Sequence, residues 1–185
     1  MLINVDKTLS KDQYLYDPKI RSPLSLGDAI QMLKRRNPMT KIGFTNGTYK
    51  VLTPAHCVFL SLCKTHCDLL IVGVNSDHSL RMLKRHSHFS TKERSFALAT
   101  LTVVDYVTIF DEDTPGLCIS SVNPDIIFKG PDYDAKDVVA MGKEVKIIQH
   151  PFDIHTSDII KSPDEGSFFN ISDDIKSRLK WIKFS

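Results

Sequence analysis

Residues 68–74 read Asp68-Leu69-Leu70-Ile71-Val72-Gly73-Val74, a strand-length run with no polar residue after the opening aspartate. Alternating apolar and polar residues would signal a strand wet on one face. An unbroken apolar run signals one buried on both, as in parallel sheets flanked by helices. Upstream of it, a helix is predicted from about Pro54, proline being well suited to a first turn. Before that helix, Lys41–Phe44 reads as a strand running into a polar turn, Thr45-Asn46-Gly47-Thr48. Earlier still, Ser25-Leu26-Gly27-Asp28 starts a short amphipathic helix with Leu26, Ile30 and Leu33 on one face, ended by Asn37-Pro38.

Downstream the alternation continues. Ser90-Thr91-Lys92-Glu93 has capping-box spacing and opens a helix through Ala97 to Leu101. Tyr106–Ile109 is a strand, Thr114-Pro115 opens a further helix, and Ile126–Lys129 and Val145–Ile148 are two more strands. Thr156–Lys161 is a last short helix. Strands alternating with helices predict an α/β fold, here a five-stranded parallel sheet covered on both faces. A separate C-terminal helix is expected from Ser172, with Ile175, Leu179 and Ile182 as its apolar stripe and charges matched to the helix dipole. It serves to dock on the main domain, to make a dimer contact or to cover the site. The chain is thus divided into an N-terminal extension (1–24), a main domain (25–162) and a tail with a helix (163–185).

Composition narrows the function classes. The 185 residues are 42% hydrophobic and 25% charged, enough to bury a core without disulfides or a structural metal. Lys plus Arg is 24 and Asp plus Glu is 22, an even balance that argues against a duplex-binding protein. No apolar run approaches the roughly 20 residues of a membrane span, and the N-terminus lacks a signal-peptide pattern, so a cytoplasmic protein with no membrane partner is expected. Cys57, Cys63 and Cys67 fall on one predicted helix, and no second ligand pair suggests zinc, so reduced thiols are expected there and at Cys118.

In a parallel sheet, ligands bind beyond the carboxyl ends of the strands. The turn Thr45–Thr48 and the start of the next helix lie at such an end, where free backbone N–H groups favour an anion. Thr53 and His56, three apart across that start, could both face a bound phosphate, and an imidazole there can donate a hydrogen bond as charge grows on a phosphoryl oxygen. Taken alone, a histidine in a first turn serves structure more often than chemistry.

The stretch Thr53-Pro54-Ala55-His56 resembles the (H/T)xGH signature of nucleotidyltransferases. The order of motifs around it is similar to the cytidylyltransferase-like family, most of all to the adenylyltransferase domain of bacterial ADP-heptose synthases. The motifs are Phe44-Thr45-Asn46-Gly47; Val74-Asn75-Ser76-Asp77 through Leu83-Lys84; Glu93-Arg94; Val104-Asp105-Tyr106-Val107; Phe110-Asp111-Glu112-Asp113-Thr114-Pro115; Lys129-Gly130-Pro131-Asp132-Tyr133; and Thr156-Ser157-Asp158-Ile159-Ile160. The likeness covers residues 25–162.

This resemblance implies a Rossmann-like domain that transfers a nucleoside monophosphate from a nucleoside triphosphate, ATP ahead of CTP, to a sugar phosphate such as a heptose 1-phosphate. The acceptor phosphate would attack the α-phosphorus in line and release pyrophosphate, with Mg²⁺ bridging the triphosphate and no dedicated protein metal site. It implies catalytic roles for His56, Lys84 and Thr53. Nucleotide contacts are implied for Phe44, Thr45, Asn46, Gly47, His56, Arg94, Lys129, Gly130, Thr156 and Ser157. Acceptor contacts are implied for Lys50, Asn75, Asp77, Lys84, Asp132 and Tyr133, and a homodimer is suggested. Lys50 stands where the family has an aspartate, Ala55 where it has a glycine, and His155 where it has a small hydroxyl. These departures keep two further readings in play: a CTP-dependent enzyme acting on glycerol 3-phosphate or another phosphorylated acceptor, and a catalytically weak nucleotide-binding protein.

Overall fold

A computed structural model describes residues 15–149, apart from 135 and 137. The helices expected from Thr156 and from Ser172, and the site residues Thr156 and Ser157, lie outside the described residues.

Six strands form one sheet in the order β1-β4-β3-β2-β5-β6, all parallel. They are β1 (Ile20–Arg21), β2 (Ile42–Gly47), β3 (Leu69–Asn75), β4 (Tyr106–Phe110), β5 (Ile126–Lys129) and β6 (Glu144–Ile147). The helices are α1 (Pro23–Arg36), α2 (Pro54–Lys64), α3 (Asp77–Met82), α4 (Thr91–Ala99) and α5 (Gly116–Val122). The sixth strand is β1, a two-residue edge piece paired with Val107 and Thr108. It adds to the five expected and is too short for periodicity to reveal.

Three boundaries shift for physical reasons. Helix α1 starts at Pro23, not Ser25, because the Ser22 hydroxyl accepts the Ser25 N–H at 3.3 Å and a proline fits the first position. Strand β2 runs on through Thr45, Asn46 and Gly47, read above as a turn, since these pair with Val72, Gly73 and Val74. Helix α2 ends at Lys64, so Cys67 lies beyond it; the thiols are free, and burial raises Cys67 to about 11 and Cys118 to about 12.

The period of two along each strand divides the core. Leu70, Val72 and Val74, with Ile126 and Phe128, pack against Phe59 and Leu60 of α2 and Leu98 of α4. Ile71, with Ile42, Phe44 and Ile127, packs against Leu26 and Ile30 of α1 and Ile119 of α5. Fully burying each such side chain contributes about 1.5–3 kcal/mol.

At the amino ends of the strands, two aspartates fasten the sheet. Asp105 accepts the Leu70 N–H at 2.6 Å and pairs with Lys64 at 2.6 Å. Asp125 accepts the Ile42 N–H at 2.8 Å and pairs with Lys34 at 2.6 Å. Burial pushes the Asp125 carboxyl up, but Lys34 and the Ile42 N–H outweigh it and hold the group below its ordinary value. Asp105, of the Val104-Asp105-Tyr106-Val107 motif, and Asp125 therefore work on the side of the sheet away from the strands' carboxyl ends.

Gly27 of α1 sits against α5, where an added Cβ would lie 2.3 Å from the backbone oxygen of Ser121. Alanine would return about 1 kcal/mol of helix propensity, but overpacking against backbone costs about 1–3 kcal/mol. Gly27→Ala is expected to lower the urea midpoint; a raised midpoint would mean the two helices are not in this contact.

Candidate active site

The neighbours of β2 set the location. From β2 the chain places β3 on one side and β5 on the other, so strand order reverses between β2 and β5. Their carboxyl ends flank the crevice where open α/β sheets bind ligands. Asn46 and Gly47 stand at the end of β2, Lys129 at the end of β5, and α2 begins a few residues after β2.

Helix α2 opens with a capping box in which a histidine fills the place usually held by Glu or Gln. The Thr53 hydroxyl accepts the His56 N–H at 3.4 Å, and the Thr53 N–H donates to Nδ1 of His56 at 3.1 Å. The Thr53 Oγ1 is also 2.9 Å from Nδ1. A ring nitrogen that accepts from a backbone N–H carries no proton, so the neutral imidazole holds its hydrogen on Nε2 and is a donor there. Thr53 is buried, and its function in the fold is to orient that ring.

Tyr49 completes the setting, and sequence reasoning missed it. It has a left-handed backbone (φ 45°), and its ring meets the His56 ring edge-on at 5.2 Å. Gly47 gives it room, since a Cβ there would stand 3.1 Å from the Tyr49 ring. Burial drives the phenol well above its ordinary pKa despite a hydrogen bond with Thr45, so Tyr49 stays protonated and is no base. The available signal was an aromatic residue two positions after Gly47, set between the polar Thr48 and Lys50.

Lys129 is the second centre. Its ammonium is buried, donates to Oδ1 of Asn46 at 2.7 Å and lies 4.9 Å over the Tyr133 ring. No carboxylate among the described residues pairs with it, and burial alone lowers it to about 8. A buried cation with one neutral acceptor and one aromatic face is an arrangement that an arriving anion would relieve. Gly130 has open space where a Cβ would be, and Asp132 and Tyr133 are exposed on the turn that follows.

The other expected residues divide into exposed and engaged. Lys84 is exposed and left-handed (φ 53°), at the end of α3, where Lys84 N–H bonds Arg81 O and Arg85 N–H bonds Leu80 O. That closure normally takes glycine, and an L-residue costs roughly 1–2 kcal/mol there. Lys50 is partly exposed, and no described contact joins Lys50 or Lys84 to the Thr53–His56 group. Phe44 is fully buried in the core, which leaves only its backbone to face a ligand. Thr45 is buried beside Tyr49. The Asn75 amide donates to Ser79 Oγ at 2.9 Å, and Asp77 accepts from Thr91 N–H at 2.9 Å and Arg94 Nη2 at 2.8 Å. Arg94 is buried, with its donors turned to the protein's own acceptors. Ala55 is buried in the first turn of α2. Among the described residues, no cluster of three His, Cys, Asp or Glu side chains is placed to hold a metal ion, and no helix is long and apolar enough to cross a membrane.

A doubly wound parallel sheet with an imidazole at a helix start beside its switch point defines a Rossmann-like α/β protein. The chain belongs to the cytidylyltransferase-like family of nucleotidyltransferases, whose model matches residues 44–175. It is 40% identical over 148 residues to a protein of Helicobacter pylori strain J99 named bifunctional protein HldE, and 42% identical over 132 residues to one of the same name from Syntrophotalea carbinolica. These matches cover 78% and 70% of this chain but only 31% and 26% of the relatives' own lengths. Among solved structures, it is similar to a lipopolysaccharide core biosynthesis protein from Thermoplasma volcanium, with TM-score 0.52, 26% identity, and coverage of 60% of this chain and 95% of that one. Pantoate-beta-alanine ligase from Francisella tularensis, 13% identical with TM-score 0.52 and 85% of each chain covered, shares the fold.

The Lys129 geometry has a signed consequence. Its folded pKa, about 8, lies below the ordinary 10.5, so between these values the unfolded chain binds more protons and stability rises with pH. Below pH 8 the cost of the buried charge is fully present. Lys129→Met is therefore expected to raise the urea midpoint at pH 7, by an amount that shrinks as pH climbs toward 10. A variant less stable than the parent at pH 7 would contradict this.

Proposed function

We propose that this protein transfers a nucleoside monophosphate from ATP to a sugar phosphate of the heptose 1-phosphate kind, releasing pyrophosphate. The observation that carries the reading is the Thr53–His56 box, which makes Nε2 of His56 a fixed donor at the start of α2. When an acceptor phosphate oxygen attacks the α-phosphorus, charge builds on the non-bridging α-oxygens. A donor already oriented toward that position stabilises the transition state more than the ground state, and each such donor contributes around 2–4 kcal/mol. No covalent enzyme intermediate is needed, so the protein's work is positioning and charge stabilisation.

In this reading Lys129, with Asn46, meets triphosphate oxygens at the crevice floor, and the backbone around Phe44–Gly47 and Gly130 lies along the nucleotide. Lys84 and Lys50 bring mobile positive charge from the rim, Lys50 toward the acceptor's phosphate, with Asp132 and Tyr133 beside the sugar. Thr156 and Ser157 serve the β- and γ-phosphates. Mg²⁺ would accompany the triphosphate as its counter-ion. Adenine and a heptose acceptor are supported by the motif likeness to ADP-heptose synthases, by the HldE relatives and by the lipopolysaccharide role named for the Thermoplasma protein. Lys50, in place of the family's aspartate, and His155, in place of its small hydroxyl, favour one second reading: a catalytically weak nucleotide-binding protein on the same fold.

Pyrophosphate release from ATP and from CTP, with Mg²⁺ and a panel of sugar and polyol phosphates, decides among these. ATP with a heptose 1-phosphate is expected to turn over fastest, and His56→Ala to lower that turnover at least about tenfold with the fold retained. Nucleotide binding without turnover on any acceptor would leave a binding protein, and full turnover in His56→Ala would remove His56 from the mechanism.

A further inference from the structure

Arg94 stands at the fourth position of α4, past a capping box in which Glu93 Oε2 accepts from Ser90 N–H at 2.8 Å and from Ser90 Oγ at 2.7 Å. Its guanidinium has five N–H donors in a fixed plane, and the protein meets all five. Nε donates to Phe89 O at 3.2 Å. Nη1 donates to Thr48 O and to Asn75 O, each at 2.8 Å. Nη2 donates to Asp77 Oδ1 at 2.8 Å and Thr91 Oγ1 at 3.2 Å. The side chain is buried, so a phosphate could engage it only by breaking one of these bonds.

These acceptors come from separate pieces of chain. Asp77 and Thr91, at the starts of α3 and α4, are already cross-linked: Asp77 N–H donates to Thr91 Oγ1 at 2.7 Å, and Thr91 N–H to Asp77 Oδ2 at 2.9 Å. Asn75 ends β3, Phe89 closes the α3–α4 loop, and Thr48 leads the turn that carries Tyr49 and ends at Thr53 and His56. The Asp77 carboxyl is pushed up by burial, yet the Thr91 N–H and Arg94 outweigh this and hold it below its ordinary value, which keeps the ion pair formed at neutral pH.

We propose that Arg94 is a positioning residue for nucleotidyl transfer: it does not touch the nucleotide but ties the Thr48 carbonyl, and with it the turn bearing Tyr49 and His56, to the end of β3 and the starts of α3 and α4. The catalytic part of this statement rests on the function proposed above; the mechanical part does not. A lysine at 94 keeps the charge but, as a point donor, cannot span the Thr48 carbonyl after β2, the Asn75 carbonyl at the end of β3 and the Asp77 carboxylate together. A shift of the His56 donor by a fraction of an ångström would cost rate without costing nucleotide affinity.

The test compares wild type, Arg94→Lys and the milder Thr91→Val by three measurements. These are ATP affinity by calorimetry, pyrophosphate release at saturating ATP, and amide hydrogen exchange of residues 48–53 against residues 95–99. For Arg94→Lys the expected result is ATP affinity within about threefold of wild type, turnover at least about tenfold lower, and faster exchange at 48–53 with 95–99 unchanged. Thr91→Val, which removes one arm, is expected to fall between. ATP affinity lowered tenfold or more with exchange at 48–53 unchanged would make Arg94 a direct ligand and overturn the proposal. Unchanged exchange and turnover would overturn it too. Should wild type release no pyrophosphate with any acceptor, the transferase reading fails, and the exchange data still decide whether Arg94 holds the turn.

Discussion

The N–H of Thr53 points at Nδ1 of His56 from 3.1 Å, and the chemistry of the site follows from where that leaves the other ring nitrogen. A capping box ordinarily satisfies two stray donors at a helix start with a hydroxyl and a carboxylate or amide. Here the second partner is an imidazole, so the bond that closes the helix also decides which nitrogen keeps the proton. The helix cap and the proposed catalytic donor are one structure. Because the cap belongs to the first turn of α2, whose Phe59 and Leu60 pack against the sheet, the donor inherits the rigidity of the core.

Cations near the strand ends fall into two energetic groups. Arg94 is satisfied: every donor has an acceptor, and its partner Asp77 is ionised. Lys129 is not: it is buried with no carboxylate partner among the described residues. Groups that cost stability in the resting protein gain most when an anion arrives, whereas a saturated group has only contacts to lose. This contrast is the physical ground for proposing Lys129 as a ligand-facing residue and Arg94 as a positioning one, although motif likeness implies nucleotide contacts for both.

Much of the fold was legible in residues 68–74, because a strand buried on both faces leaves only a few architectures open. The Ser90–Glu93 cap and strand Ile126–Lys129 were equally readable, since their signals are local. Ile20–Arg21 was not, being two residues held only by β4. Thr45–Gly47 looks like a turn by composition, and it is the ladder to Val72–Val74, a long-range pairing, that makes it strand. Likewise Asn75, Asp77 and Arg94 read as ligands because they are polar residues in motifs. Three of the acceptors that hold Arg94, Asp77, Asn75 and Thr48, lie 17 to 46 positions away, beyond any spacing rule. The Thr53–His56 box has capping-box spacing but the wrong residue at its fourth position, so its double role needed coordinates.

Nitrogen NMR of histidine-labelled protein at neutral pH, without ligand, tests the central claim most directly, the His56 signals being those absent from a His56→Gln protein. One tautomer is predicted, with Nδ1 appearing as an unprotonated, hydrogen-bonded acceptor and Nε2 as the protonated nitrogen. A proton on Nδ1, or a mixture of tautomers in comparable amounts, would contradict the account, because the Thr53 N–H would then not be setting the direction in which His56 donates.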